Sequence, residues 1–288
     1  MLAGSFGLSF AFSKKIPHLS FSTLGCPDWT LSRTIDFAVK NGFQGIEVRG
    51  IMRELDLTKV SEFTLPHRAA TLKMMEDNGL RFVNLGSSCN LHFAEGPERT
   101  KNLDEGKRFI DLANELKCPY IRVFPNNFPK DREKKQTMEL MSKGLLELAG
   151  HAKGSPVRVL VESHGDLLAI QDLEDVMRAA DHKNAGMVWD VVNMWVKTKE
   201  SPATVYDRLK KYIFHTHIKN AKVTGEKIDY VRLKQGDVPI FDAIDVLYKS
   251  NYDGYYSFEW EKLWHPEIED PELAIADYAQ TMKEHFTH

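Results

Sequence analysis

The sequence contains few cysteines, no strong excess of either charge and no long apolar run. Its 288 residues include only three cysteines, Cys26, Cys89 and Cys118, at widely separated positions. This number and spacing indicate neither a disulfide framework nor a cysteine zinc site, so we expect three small buried side chains. The net charge of −3 provides no basic surface for a nucleic acid or an anionic membrane.

The beginning of the chain is the least clear segment. The stretch MLAGSFGLSFAFSKK contains a short apolar run, but no basic residue precedes it and it is too short to span a membrane. We expect residues 1–17 to be a leader, either disordered or loosely packed or the remnant of a secretory signal. The expected location is cytoplasmic, with the periplasm or export as the alternative if the leader derives from such a signal.

The remaining chain alternates between strand and helix patterns. Apolar residues recurring every three or four positions predict a helix after each strand. This alternation and the length favour an α/β fold, a single-domain (β/α)8 TIM barrel over residues 18–288. The first strand is followed by STLGCPDW, which is not a glycine-rich phosphate loop and therefore argues against an open nucleotide-binding sheet. The eight predicted strands are 18–23, 45–50, 81–87, 120–126, 158–164, 186–192, 213–219 and 255–260.

Acidic and histidine side chains stand near the ends of the last four predicted strands. The C-terminal ends of barrel strands meet at one face, so these side chains should converge. Because a buried carboxylate without a partner is costly, a cation is the simplest explanation, and Mn²⁺, Mg²⁺, Co²⁺ or Zn²⁺ suits oxygen and imidazole ligands. Separate salt bridges to Arg or Lys are the alternative. The residues are Glu162, Asp190, His217 and Glu259, with Glu261 as a rival to Glu259.

Several stretches resemble the xylose isomerase-like TIM barrel superfamily, in particular its sugar phosphate isomerase/epimerase members, which include inosose dehydratase-like proteins. They lie between about residues 18 and 285 and include GFQGIEVRG, YIRVF, VLVESHG, VWDVVN, HTHIKN and LKQGDVPIFDAIDVLYKSNYDGYYSFEWE. The resemblance implies one divalent cation, with Mn²⁺ expected first, held by Glu162, Asp190, His217 and Glu259. It also implies that Glu162 and Glu259 form an acid/base pair, and it favours Glu259 over Glu261 as the ligand.

The resemblance implies an enzyme that is a metal-dependent sugar isomerase or epimerase. It would act on a keto-sugar or related polyol by moving a proton at the carbon next to a carbonyl, through an enediolate. A dehydratase or lyase acting on a keto-inositol or 3-keto-sugar is the alternative, and a non-catalytic sugar-binding barrel is a second one. The expected partner is a small sugar, without nucleic acid or membrane, and a homo-oligomer is left open.

One position departs from the pattern of the superfamily. Its members often have Asp-x-x-His on the sixth strand, where this chain has Asp190-Val-Val-Asn193. Asn193 can hydrogen-bond a sugar hydroxyl but does not titrate near neutral pH, so a specific substrate cannot be transferred from the resemblance. Each candidate substrate-binding residue also has a structural alternative, a salt bridge or interior packing. These candidates are His164, Asn193, Lys219, Arg122 and Glu47.

Overall fold

The computed structural model describes residues 16–287. The strands of this range are β1 Leu19–Ser22, β2 Gly45–Val48, β3 Arg81–Asn90, β4 Tyr120–Phe124, β5 Arg158–Glu162, β6 Ala185–Asp190, β7 Ile213–Ile218, β8 Asn220–Thr224, β9 Lys227–Val231 and β10 Tyr256–Phe258. The α-helices are α1 Leu31–Asn41, α2 Leu65–Asp77, α3 Pro97–Glu115, α4 Lys134–His151, α5 Ile170–Ala179, α6 Val191–Thr198, α7 Pro202–Leu209, α8 Ile240–Lys249 and α9 Pro271–Thr287.

Eight parallel strands form a closed barrel in the order β1-β10-β7-β6-β5-β4-β3-β2. Closure is completed by pairing of β1 with β10, in which Ser20 lies opposite Ser257. Helices occupy the connections between the strands and cover the outside of the barrel. The prediction of a (β/α)8 TIM barrel is therefore confirmed, and the C-terminal ends of the strands meet at one mouth.

The C-terminal helix α9 covers the seam between the first and last barrel strands. Its Tyr278 stacks on Phe258 of β10, with ring centroids 4.7 Å apart, and also on Phe43, which precedes β2, at 6.2 Å. The Tyr278 hydroxyl donates a hydrogen bond to the backbone oxygen of Tyr256 at 2.8 Å. These buried aromatic contacts tie the end of the chain to its beginning, and they account for helical periodicity continuing to the last described residues.

Two of the differences from the prediction lie at the C-terminal ends of barrel strands. The sixth strand was predicted to run to residue 192, but β6 ends at Asp190 because its side chain caps α6, with Asp190 Oδ1 accepting from Asn193 N–H at 2.8 Å. An antiparallel hairpin of β8 and β9 follows β7 directly and was not predicted. Its turn contains Gly225 at φ +62°, a left-handed conformation that glycine adopts without strain.

The predicted leader lies almost entirely outside the described residues. Of residues 1–17, only Ile16 and Pro17 belong to the described range, and they precede β1 without regular secondary structure. Within 16–287, no helix combines the length and apolarity that crossing a lipid bilayer requires.

Candidate active site

The four residues at the ends of the last barrel strands meet at the mouth. Glu162 and Asp190 are the last residues of β5 and β6, His217 lies near the end of β7, and Glu259 directly follows β10. All four are buried, and one ligand atom from each lies within 4.8 Å of the others. The arrangement follows from the fold, because equivalent points of neighbouring parallel strands are brought to the same height.

His217 lies between two layers of carboxylates. Its Nδ1 lies 2.8 Å from Glu162 Oε1 and 3.2 Å from Glu259 Oε2, at the mouth. Its Nε2 lies 3.1 Å from Glu47 Oε2, deeper in the barrel. Burial opposes a charge on the imidazole, but Glu259, Glu47 and Glu162 outweigh burial and raise the pKa of His217 well above its usual range.

Glu47 forms the deeper layer together with two histidines. Its Oε2 lies 2.7 Å from His215 Nε2 and also accepts from Asn84 Nδ2 at 3.3 Å. An ionised carboxylate accepts hydrogen bonds and donates none. This network therefore assigns a proton to Nε2 of both His215 and His217. Nδ1 of His217 is then the nitrogen left to face Glu162 and Glu259, as a histidine oriented by a carboxylate is in many metal sites.

Lys219 binds three carboxylates at the mouth. Its Nζ lies 2.7 Å from Asp190 Oδ2, 2.5 Å from Glu259 Oε2 and 2.6 Å from Glu261 Oε1. The salt-bridge alternative considered for Lys219 is thus present in the structure, in the buried mouth rather than at an exposed rim. Glu261 contacts the lysine but does not belong to the group of four converging residues. Glu259 contacts the lysine and also belongs to that group.

This environment shifts the pKa values of two carboxylates at the mouth in opposite directions. Burial raises the pKa of Asp190 to about 6, with Lys219 only partly opposing it. Burial also acts against the charge of Glu259, but His217 and Lys219 outweigh it and hold the pKa of Glu259 below its usual range. At Asp190, burial thus disfavours the charged form more than the neighbouring Lys219 favours it.

The donor set fits a divalent cation. Glu162 Oε2 and Asp190 Oδ2 are buried and accept no hydrogen bond from the described residues, although Arg122 Nε and Lys219 Nζ lie 3.2 and 2.7 Å away. Three carboxylates and one imidazole are ligands that Mn²⁺, Mg²⁺, Co²⁺ and Zn²⁺ accept. Such an ion would place further positive charge beside the buried carboxylate of Asp190.

The predicted substrate-binding residues surround this group at different depths. Arg122 is buried and contacts Glu162, and Glu47 faces the barrel interior as described above. His164 is half-buried against Phe124, with ring centroids 4.7 Å apart, and its Nδ1 has no hydrogen-bond partner within 16–287. Asn193 is half-buried at the start of α6, and its Nδ2 donates a long hydrogen bond of 3.4 Å to Ser163 O.

Two further residues at the mouth were not among the predicted candidates. Arg49 directly follows β2 and is buried, and Tyr230 of the hairpin lies with its ring centroid 5.6 Å from Lys219 Nζ. The position of Arg49 near the C-terminal end of the predicted strand 45–50 was a usable signal, because barrel active-site residues stand at such strand ends. Tyr230 had no such signal, since its hairpin was absent from the predicted element order.

Comparison with known proteins identifies the family of this barrel. The family model described as xylose isomerase-like TIM barrel matches residues 35–285, which is most of the chain. The chain belongs to the xylose isomerase-like TIM barrel family. This confirms the resemblance noted in the sequence, and its stretches VLVESHG, VWDVVN and HTHIKN carry three of the four converging residues of this family member.

Solved structures of the same fold include proteins with different names. One is the probable 3-DHS dehydratase AsbF involved in petrobactin synthesis from Bacillus anthracis, 17% identical, with TM-score 0.77, covering 92% of this chain and 98% of that chain. A second is the 3-keto-D-glucoside 4-epimerase YcjR from E. coli, 15% identical, with TM-score 0.74 and coverages of 93% and 99%.

A third is the IOLI protein with a bound zinc atom, 16% identical, with TM-score 0.77 and coverages of 93% and 98%. At these identities the structural likeness establishes the fold alone. A search of the curated proteins returned no match to this sequence at the significance applied.

Proposed function

We propose that this protein is a divalent-metal-dependent isomerase or epimerase of a keto-sugar or related polyol. The observation that carries the proposal is the convergence of Glu162 and Glu259 with Asp190 and His217 at the barrel mouth. Two of these carboxylates approach the same imidazole nitrogen from strands that are not neighbours in the barrel, β5 and β10. A substrate held at this point would have a carboxylate from each side of the mouth next to it.

The division of roles follows from the chemistry of such a substrate. When bound, a divalent cation at the four residues would polarise the substrate carbonyl and so acidify the neighbouring C–H. Glu162 removes a proton from that carbon and Glu259 returns one, or the reverse, because the two carboxylates reach the mouth from different strands. The names of structural relatives support this reading, since a sugar epimerase and a protein with bound zinc share the fold.

A dehydratase is the second candidate, and the specific observation behind it is the fold shared with a probable dehydratase. Removal of the same proton followed by loss of a hydroxyl group one carbon further along would eliminate water. The same residues would serve both reactions, so the two candidates differ in the product alone.

The test is proton exchange in D₂O by the protein loaded with Mn²⁺. D-Fructose, D-tagatose and 2-keto-myo-inositol are incubated with it, and deuterium at the carbon next to the carbonyl is followed by NMR and mass spectrometry. We expect incorporation with at least one of them and its loss on chelation. Glu162→Gln and Glu259→Gln should each lower the exchange rate roughly 100-fold or more, whereas Glu226→Gln, in the exposed hairpin turn, should leave it unchanged.

The product distinguishes the two candidates. Retention of substrate mass apart from deuterium identifies an isomerase or epimerase, and loss of one water identifies a dehydratase. Exchange that persists in both glutamate variants contradicts the acid/base assignment. Tight sugar binding without any exchange across the panel would instead indicate a sugar-binding barrel.

A further inference from the structure

Two buried arginines stand next to each other on the β2–β4 side of the mouth. Arg49 directly follows β2 and Arg122 lies within β4. Between them, β3 contributes Gly86, where a Cβ would lie only 2.9 Å from Arg49 Cδ and 3.0 Å from Arg122 Nη2. Glycine at this position therefore leaves the room that both arginine side chains occupy, and the two like charges are packed together by the fold.

Arg49 lacks the anionic partner that a buried guanidinium normally has. Its Nη2 donates to Ser88 Oγ at 3.0 Å and its Nη1 to Gly86 O at 3.4 Å. No carboxylate oxygen of residues 16–287 lies within 4.0 Å of its nitrogens. Burial and the adjacent charge of Arg122 lower the pKa of Arg49 to about 10, and the more distant charges of Glu105, Glu162 and Glu259 only partly oppose this. A buried, weakly compensated arginine is costly to keep unless a ligand completes it.

Arg122 presents its remaining donors on the same side. Its guanidinium carbon lies 3.7 Å above the ring of Phe124, Nη1 donates to Ser87 O at 2.9 Å, and Nε lies 3.2 Å from Glu162 Oε2. Nη2, the nitrogen next to Gly86, makes no hydrogen bond within the described part of the chain. The contact with Glu162 joins this pair of arginines directly to the group of four converging residues.

We propose that Arg49 and Arg122, together with the Ser88 hydroxyl, bind a carboxylate of the substrate, so that the substrate is an acidic keto-sugar. The proposal rests on the proposed function, because it assigns the charged end of the molecule whose carbonyl end lies at Glu162 and Glu259. Ser88 Oγ accepts a hydrogen bond from Arg49, and its own hydrogen remains available to an acceptor. The substrate would thus lie across the mouth, from β2–β4 to β5–β10.

A carboxylate fits this subsite better than a phosphate does. Phosphate sites are typically built from free backbone N–H groups at a helix start or a tight loop. Here the Ser88 N–H donates to Glu105 Oε1 at 2.6 Å and the Asn90 N–H to Asn102 Oδ1 at 2.8 Å. The donors that remain are guanidinium groups, whose planar forks match the planar carboxylate.

The test compares three sugars that differ at one end, D-fructose, D-fructuronate and D-fructose 6-phosphate, with the Mn²⁺-loaded protein. Their affinities are measured by calorimetry and their deuterium exchange by NMR. We expect D-fructuronate to bind at least about tenfold more tightly than D-fructose, and Arg49→Gln to remove a factor of roughly 10 to 100 of that preference. Arg49→Lys, which keeps the charge without the fork, should retain part of it and is measured beside the glutamine variant.

Arg158→Gln is the matched control. Arg158 begins β5 at the opposite end of the barrel, with its guanidinium carbon likewise 3.7 Å above an aromatic ring, that of Phe214. It should leave the affinities of all three sugars unchanged.

Equal affinities for D-fructose and D-fructuronate, or a preference that persists in both Arg49 variants, would overturn the carboxylate subsite. An Arg49-dependent preference for the phosphate would overturn the assignment to a carboxylate. Arg49-dependent binding of D-fructuronate without deuterium exchange supports the subsite and contradicts the proposed function. Exchange of D-fructose and D-fructuronate at equal rates in all variants supports the function and overturns the subsite.

Discussion

Replacement of Lys219 by methionine tests how the carboxylates of the mouth are held together. The lysine lies at 2.5–2.7 Å from three of them and is buried with them. At an effective dielectric constant of about 20, one such contact attracts by roughly 6 kcal/mol, much of which is offset by desolvation of the ammonium group. Removing one partner of a buried ion pair costs about 3–5 kcal/mol, because the other charges stay buried without compensation.

The assay is urea denaturation of wild type and Lys219→Met, in EDTA and in excess MnCl₂. In EDTA we expect the variant to lose about 3–5 kcal/mol of unfolding free energy. In MnCl₂ the loss should be clearly smaller, because a divalent cation at Asp190 and Glu259 replaces part of the missing charge. By thermodynamic linkage the variant should then bind Mn²⁺ more tightly than wild type, by the same free energy.

Lys73→Met is the control, since Lys73 forms an exposed ion pair with Asp77 on α2 and its loss should leave the unfolding free energy almost unchanged in either buffer. If Lys219→Met costs no more than Lys73→Met, the buried cluster is not held by the lysine. If its cost in EDTA and MnCl₂ is the same, wild type and variant bind Mn²⁺ equally well, and Lys219 does not share these carboxylates with a cation.

Three further predictions concern other residues. Glu47→Gln removes the charge that orients His217 and should weaken Mn²⁺ binding roughly 10- to 100-fold by calorimetry, while Glu226→Gln should not. The three cysteine thiols should stay unreactive towards Ellman's reagent until urea unfolds the chain, since burial disfavours the thiolate and raises the pKa of Cys118, for example, to about 12. Burial opposes ionisation of Asp245, but hydrogen bonds from His285 and Lys249 together outweigh burial and lower the pKa of the carboxyl. Asp245→Asn should therefore cost about 0.5 kcal/mol at pH 7, and this cost should disappear as the pH falls through the lowered pKa and the wild-type carboxyl is protonated too.

The barrel was predictable because each strand carries its own local signal. Strand segments such as 158–162 are short, β-branched and bounded by turn residues, and their order alone defines a parallel barrel. The convergence of Glu162 with Asp190 follows from that order without knowledge of any side-chain contact. The hairpin β8–β9 was missed because it lies where a strand-to-helix connection was expected, although Gly225 marks its turn.

Side-chain reach could not be predicted in the same way. The sequence placed Lys219 two residues after His217 but did not show that its four-carbon chain ends among three carboxylates. The pairing of Arg49 with Arg122 depends on the missing side chain of Gly86 on the strand between them. Such contacts depend on three neighbouring strands together, whereas the sequence pattern of a strand describes that strand alone.

The two oxygens of Asp190 serve different neighbours. Oδ1 accepts from the Asn193 N–H and so begins α6, while Oδ2 faces Lys219 in the mouth. A substitution of Asp190 is therefore under two separate constraints in evolution, the start of a helix and the chemistry of the site. Glutamate keeps the charge but moves the carboxyl group away from the helix, and serine keeps the cap but loses the charge. We therefore expect members of the family to differ at Asn193 more readily than at Asp190, because the side chain of Asn193 neither caps α6 nor contacts Lys219.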